Sequence, residues 1–148
     1  MSSQDTRNMG PIKEIKGDLM MSKGNLCHCI SADCKLGKGI AKKFREKFGH
    51  MNKLRNMETE VGGVSIIKIE NRYIYNLVTK DRYFQKPRYI NLESSLIKMR
   101  KHAIENGIKK IDMPKIGCGL DKLNWYRVRD IIMKVFYNYG IEITVYCL

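Results

Sequence analysis

Three observations predict an α/β fold, a mixed sheet covered by helices on both faces. Helical and strand periodicities interleave through most of the chain, the pattern of a sheet between two helical layers. Two runs rich in β-branched and aromatic residues, 64–69 and 73–78, are separated only by Glu70-Asn71-Arg72. They read as a β-hairpin, so at least one pair in the sheet is antiparallel. Near the end, Ile141, Ile143 and Val145 alternate with Glu142, Thr144 and Tyr146, a strand that follows directly on a helical stripe.

In order, Ile12-Lys13-Glu14-Ile15-Lys16 alternates loosely and closes in a turn at Gly17-Asp18. Residues 26–30 form a second apolar run, stopped by Ser31-Ala32-Asp33. A glycine pair, Gly37-Lys38-Gly39, then opens a helix. On it Ile40, Phe44 and Phe48 recur every fourth residue, while Lys42, Lys43, Arg45 and Lys47 cover the other face. Gly49 ends it, and 50–58 has room for a further short helix. After the hairpin, Thr79-Lys80-Asp81-Arg82 leads into a polar loop that runs through Pro87. Leu92, Leu96, Met99 and Ala103 mark the stripe of the next helix, which stops near Asn106-Gly107. A strand over 108–113 runs into Pro114 and a second glycine turn. Asn124 is a good N-cap for the last helix, whose Val128, Ile131, Ile132, Val135 and Phe136 fit one apolar stripe up to Tyr139-Gly140.

The 148 residues suit one domain, with 43% hydrophobic and 29% charged residues typical of a globular chain. No apolar run approaches the ~20 residues of a membrane helix. Residues 1–11 are polar without an apolar segment, which excludes a secretory signal and reads as a short disordered tail before a single domain over 12–148. Five cysteines, an odd number, fit free thiols in a reducing compartment, so the expected location is intracellular, in nucleus and/or cytoplasm. Cys27, His28, Cys29 and Cys34 are crowded enough to raise a zinc site. Cys27 and Cys29, however, lie two apart on a strand and face one side as small core residues, and neither Cys118 nor Cys147 completes a zinc spacing. No metal and no cofactor is expected. The net charge of +13 attracts polyanions and points to a nucleic-acid or nucleotide partner.

The chemistry gathers in Met113-Pro114-Lys115-Ile116-Gly117-Cys118-Gly119-Leu120-Asp121. Two glycines let backbone N–H groups approach a ligand, and a turn entering a helix is an anion cradle. Alone, the stretch reads rather as an ordinary strand-to-helix turn, with glycine for geometry and Asp121 near the cap. With Gly37-Lys38-Gly39 it makes two such turns in one small domain, enough to grip both phosphates of a diphosphate. Neither turn has the G-x-G-x-x-G fingerprint or a Walker lysine, which argues against a Rossmann dehydrogenase and a P-loop NTPase.

Lys16-Gly17-Asp18-Leu19, His28-Cys29-Ile30-Ser31, Gly37-Lys38-Gly39-Ile40-Ala41, 73–80, 113–121 and the ending Thr144-Val145-Tyr146-Cys147-Leu148 together resemble the macrodomain family, in its divergent branch of terminal ADP-ribose protein glycohydrolases. The likeness covers nearly all of the chain after the tail. It implies a three-layer sandwich, a six-stranded mixed sheet between helices, with an ADP-ribose cleft at the strand ends. It makes Lys80 the nucleophile and Asp121 its acid/base partner. It places Asp18 and Leu19 at the adenine end, Ser31, Gly39, Ile40 and Thr79 along the cleft, and Lys115, Ile116, Gly117, Cys118, Gly119 and Leu120 around the diphosphate and distal ribose. Leu148 reaches the ligand from the C-terminus. Other macrodomain hydrolases carry a paired-asparagine segment and a glycine triplet in the first loop. Here that loop reads Ser31-Ala32-Asp33-Cys34-Lys35-Leu36-Gly37-Lys38-Gly39, which argues against their substrate-assisted water and for the lysine.

The implied substrate is a Glu or Asp ester of the anomeric carbon of ADP-ribose on a modified protein. Opening the sugar exposes an aldehyde that an amine traps as a Schiff base. The amine must be neutral to attack, whereas a lysine ordinarily titrates near ~10.4. The expected partners are ADP-ribose and mono- or poly-ADP-ribosylated proteins, with weak electrostatic binding of nucleic acid, no membrane, and a monomer. The resemblance places this reversal of ADP-ribosylation in the DNA damage response. The competing readings are a module that binds ADP-ribose or its polymer without cleaving it, and a deacetylase of O-acetyl-ADP-ribose.

Overall fold

The computed structural model describes residues 10–148, so the expected tail lies outside the described residues except for Gly10 and Pro11. Pro11 already belongs to the fold, its carbonyl accepting the Ile143 N–H at 2.8 Å. Six strands follow: β1 (Ile12–Lys16), β2 (Asn25–Ser31), β3 (Val64–Ile69), β4 (Arg72–Lys80), β5 (Lys110–Met113) and β6 (Glu142–Cys147). Four helices are interleaved with them: α1 (Gly39–Phe48), α2 (Met51–Met57), α3 (Tyr89–Glu105) and α4 (Trp125–Phe136). The strands make one sheet in the order β1-β6-β5-β2-β4-β3. Only β3 is antiparallel to its neighbour, as the hairpin predicts; the other pairs are parallel. All five parallel strands therefore end on one side of the molecule, and loops leaving that edge can converge.

Strand alternation sorts the core into two layers. Cys27, Tyr75, Leu77, Ile111 and Ile143 face α3 and α4, where Leu92, Leu96, Met99, Val128 and Ile132 meet them. Leu26, Ile30, Ile74 and Val78 face the other way, against Phe44 of α1 and Leu54 of α2. Cys29 packs with Cys27 on the first layer while Cys34 lies in the second. The five cysteines are free, and the described residues contain no group of three side chains able to hold a metal.

The elements depart from the periodicities at three points. β4 runs on through Thr79 and Lys80, which the sequence assigns to the loop. Parallel pairing with β2 holds them: Ile30 is opposite Val78 but Ser31 is opposite Lys80, so Thr79 is one extra residue in a bulge. α4 stops at Phe136, short of Tyr139-Gly140. The turn at 117–122 does not open α4, because Asn124 does, accepting from Tyr126 N and Arg127 N at 2.9 and 3.3 Å.

His28 shows how completely the core is specified. Its ring is stacked on Phe44 at 3.8 Å, and Nε2 lies 2.6 Å from Asn76 Oδ1. Asn76 spends its amide on the Ser65 and Ile74 carbonyls, so Oδ1 is the acceptor and Nε2 carries the proton. Nδ1 is buried without a partner, and a second proton there would have nowhere to donate. Burial lowers the imidazole to about 4, against a smaller opposing contribution from the Asn76 hydrogen bond. A lowered histidine binds fewer protons when folded than when unfolded, so acid favours the unfolded chain. Stability from this group is expected to be intact above its ordinary value near 6.5 and lost between there and about 4, on the order of 3 kcal/mol in all. Urea unfolding at a series of pH values checks this, with His28→Asn as the variant that flattens the dependence in that window.

Candidate active site

Loops at the carboxyl ends of the parallel strands build the site. β1 ends at Gly17-Asp18, where Gly17 N donates to Cys147 O at 2.9 Å and ties the turn to the end of β6. Asp18 Oδ1 accepts from Met20 N at 2.9 Å and caps a 3₁₀ turn, Leu19–Met21. Between these ends and α1 lies an open cleft of ≈ 310 Å³, lined in part by Asp18, Leu19, Ile40, Lys43, Lys115 and Leu148. Its volume is within the range of small-molecule sites.

The first glycine turn enters α1 directly. Lys38 is the N-cap residue but makes no side-chain cap, so the first N–H groups of the helix, from Gly39 and Ile40, are left to a ligand or water. The second is a closed loop, pinned by Leu123 N to Gly117 O at 2.8 Å and Lys122 N to Gly119 O at 3.1 Å. Gly117 has φ +71, and a Cβ there would meet Leu123 Cδ1 at 2.7 Å, so glycine is required. Gly119 faces open space. The two loops meet where Leu120 Cδ1 comes within 3.2 Å of the place a Gly39 Cβ would occupy.

One residue past Leu120 stands Asp121. Lys80 Nζ lies 2.6 Å from Asp121 Oδ1 and donates to Tyr83 O at 2.8 Å. The side chains are only 12% and 20% exposed, so the ion pair is largely shielded from bulk water. The bulge at Thr79 sets Lys80 opposite Ser31, and the ladder continues through Ala32 N to Lys80 O at 2.8 Å and Asp33 N to Asp81 O at 3.2 Å. The amine thus stands on a rigid strand end. Nearby thiols do not compete with it. Burial, with Asp121's charge adding to it and Thr79, Lys80 and their contacts opposing, pushes Cys29 up to about 12, and burial raises Cys118 against the pull of Lys115. Both remain protonated at neutral pH and are poor nucleophiles.

The family model described as Macro domain matches residues 27–132. The chain belongs to the macrodomain family. It is 46% identical over 139 residues to human ADP-ribose glycohydrolase OARD1, covering 93% of this chain and 91% of that protein. It is 47% identical to the Bos taurus ADP-ribose glycohydrolase OARD1 over the same shares. Among solved structures, the macrodomain of Thermus aquaticus DarG superposes with a TM-score of 0.84 at 22% identity, covering 94% of this chain and 99% of that one. Thermosipho africanus DarTG in complex with ADP-ribose superposes with a TM-score of 0.83 at 21% identity, over 92% of this chain and 41% of that one. The six-stranded mixed sheet and two helical layers are those of the macrodomain fold.

Within this macrodomain the sequence-predicted residues divide into two groups. Asp18, Ile40, Lys115 and Leu148 do gather at the cleft, and Lys80 meets Asp121. Leu19, Ile116 and Thr79, at 3%, 2% and 1% exposure, have core side chains and can offer a ligand only backbone. Ser31 is also buried, and its hydroxyl is given to Asp33 Oδ1. Asp33 and Tyr83 are the residues that sequence reasoning missed. Asp33 follows a strand and accepts from Lys35 N two residues on, an Asx turn that its position foretells. Its bond to Tyr83 N, 50 residues away, has no local signal.

Proposed function

We propose that this macrodomain removes ADP-ribose from Glu and Asp esters on modified proteins, with Lys80 as nucleophile and Asp121 as acid/base. The observation that carries the reading is the shielded 2.6 Å contact between Lys80 and Asp121, beside two glycine loops that meet over the strand ends. The adenine end is assigned to Asp18, Leu148 and the cleft between them, and the diphosphate to the amides of Gly39-Ile40 and of the Gly117–Leu120 turn. Strands β1 and β4 are four places apart in the sheet, about 19 Å at ordinary strand spacing, so an extended nucleotide sugar bridges Asp18 and Lys80.

In this scheme neutral Lys80 Nζ attacks the anomeric carbon. The C–N bond forms as the bond to the acyl oxygen breaks, and the electron pair leaves with the protein's carboxylate. The proton shed by nitrogen passes to Asp121. Asp121 returns it to the ring oxygen as the sugar opens, leaving a protonated Schiff base on Lys80. Water then gives a proton to Asp121 and adds to the C=N carbon, the amine departs, and free ADP-ribose closes. One water is consumed, and the products are a carboxylate, ADP-ribose and a proton.

The human and bovine relatives, each named an ADP-ribose glycohydrolase, support hydrolysis over binding alone. We place the activity inside the cell, in nucleus or cytoplasm, because the five thiols are unpaired, and assign it to a monomer whose single domain spans 12–148. The +13 charge adds non-specific attraction to polyanions. The test is calorimetric titration with ADP-ribose followed by a gel assay on protein mono-ADP-ribosylated at Glu or Asp. Micromolar or tighter binding with release of the label is expected. Binding without release identifies a reader module, and release of acetate alone from O-acetyl-ADP-ribose identifies a deacetylase.

A further inference from the structure

Lys80 Nζ has two acceptors, Asp121 Oδ1 at 2.6 Å and Tyr83 O at 2.8 Å. A neutral amine has two N–H bonds and one lone pair. When both N–H bonds are engaged, the direction of the lone pair is fixed, and its aim at the anomeric carbon depends on where the two acceptors stand. Asp121 sits on a loop pinned by its own hydrogen bonds. Tyr83 lies in an exposed segment, 81–86, that makes few other anchoring bonds. Its N–H, on the peptide unit just before the carbonyl that accepts from Lys80, is held by Asp33, whose Oδ2 accepts Tyr83 N at 3.0 Å. Asp33 is itself fixed by Ser31 Oγ and by Lys35 N at 3.2 Å on Oδ1, and by its own N–H on Asp81 O at 3.2 Å. Burial works to raise this carboxyl, but the bonds from Ser31, Tyr83 and Lys35, with Lys35's charge, outweigh it and hold it below the ordinary carboxylate range. It therefore stays an acceptor at neutral pH.

We infer that Asp33 is a positioning residue for the reaction, anchoring the Tyr83 backbone at its N–H so that the carbonyl of the same residue orients the Lys80 amine. Asp33 makes no hydrogen bond to Lys80 and acts only through Tyr83. The inference rests on the reading of Lys80 as nucleophile. It also accounts for the buried Ser31 hydroxyl, which serves the clamp and leaves only backbone for the ligand.

The experiment compares steady-state hydrolysis and ADP-ribose affinity in Asp33→Ala, Asp33→Asn, Lys80→Ala and the double variant Asp33→Ala/Lys80→Ala. A misaimed nucleophile costs rate and spares binding, so Asp33→Ala is expected to lower kcat about 10- to 100-fold while KM and the ADP-ribose Kd stay within about threefold. Asp33→Asn keeps the shape and one accepting oxygen, so its kcat falls between the two. In the Lys80→Ala background, removal of Asp33 changes nothing further, because there is no amine left to aim. Unchanged kcat in Asp33→Ala, or a parallel loss of ADP-ribose affinity, overturns the inference. If Asp33→Ala does not fold, Asp33→Asn decides it, and wild-type kcat there is equally fatal. Full turnover by Lys80→Ala would overturn the nucleophile reading itself; an inactive Lys80→Ala beside a fully active Asp33→Ala would overturn only the clamp.

Discussion

Lys80→Ala is expected to lose hydrolysis on the order of 10³-fold or more while retaining ADP-ribose binding. A covalent nucleophile acts as one unit with its acid/base partner, and deleting either typically removes most of what the pair contributes, here about 4 kcal/mol or more of transition-state stabilisation. Binding is different, because the Lys80 ammonium is committed to Asp121 and Tyr83 O, and the phosphates are assigned to backbone amides. The variant does leave Asp121 without its cation. At 20% exposure that carboxylate keeps some contact with water, so the expected loss of affinity stays within about tenfold. Lys80→Arg sharpens the test by restoring the charge and its hydrogen bonds without an amine that can be deprotonated. It should bind as the wild type does and fail to turn over. The measurements are ADP-ribose calorimetry and a gel assay of mono-ADP-ribosylated protein; retained turnover in either variant would rule out attack by Lys80.

The parts of this site carried by backbone pattern were legible in the sequence. A hairpin at 64–78, glycine turns after apolar strands, and an Asn124 cap all follow from local chemistry. The parts set by non-local pairing were not. Thr79 and Lys80 look like loop because they are polar, yet the β2 ladder extends the strand through them and inserts the bulge that sets Lys80 opposite Ser31. The 117–122 turn looks like a helix entrance because a helix follows, but Asn124 competes successfully for that role with its side-chain oxygen. Ser31 reads as a cleft residue by position, whereas its hydroxyl is spent on Asp33. At Lys80 a partner strand distant in sequence overrides the local signal, whereas at Asn124 and Ser31 the deciding bonds are short-range, to Tyr126 N and Arg127 N and to Asp33.

Asp121→Ala is expected to divide the reaction, leaving the first half slowed and the second nearly stopped. The departing group in the first half is a carboxylate with an ordinary conjugate-acid value near ~4, so it leaves as an anion and needs no proton from the enzyme. The proton released by the Lys80 nitrogen can pass to water, since the pair retains some exposure. The second half has no such relief. Ring opening requires a proton on the sugar oxygen, and release requires a water to be deprotonated at the C=N carbon, tasks for which a positioned carboxyl contributes ~10²–10⁴-fold. The steady-state rate should fall by that amount, and the Lys80 adduct should accumulate. Intact-mass analysis after mixing with modified protein would show the chain heavier by ADP-ribose less one water, with Lys80→Ala/Asp121→Ala abolishing the adduct. Asp121→Asn keeps the hydrogen bond to the amine but cannot carry a proton, so it should trap the adduct as well. A variant that is slow yet shows no mass shift would mean that Asp121 acts before the C–N bond forms, and its main task would then be to take the proton from the attacking amine.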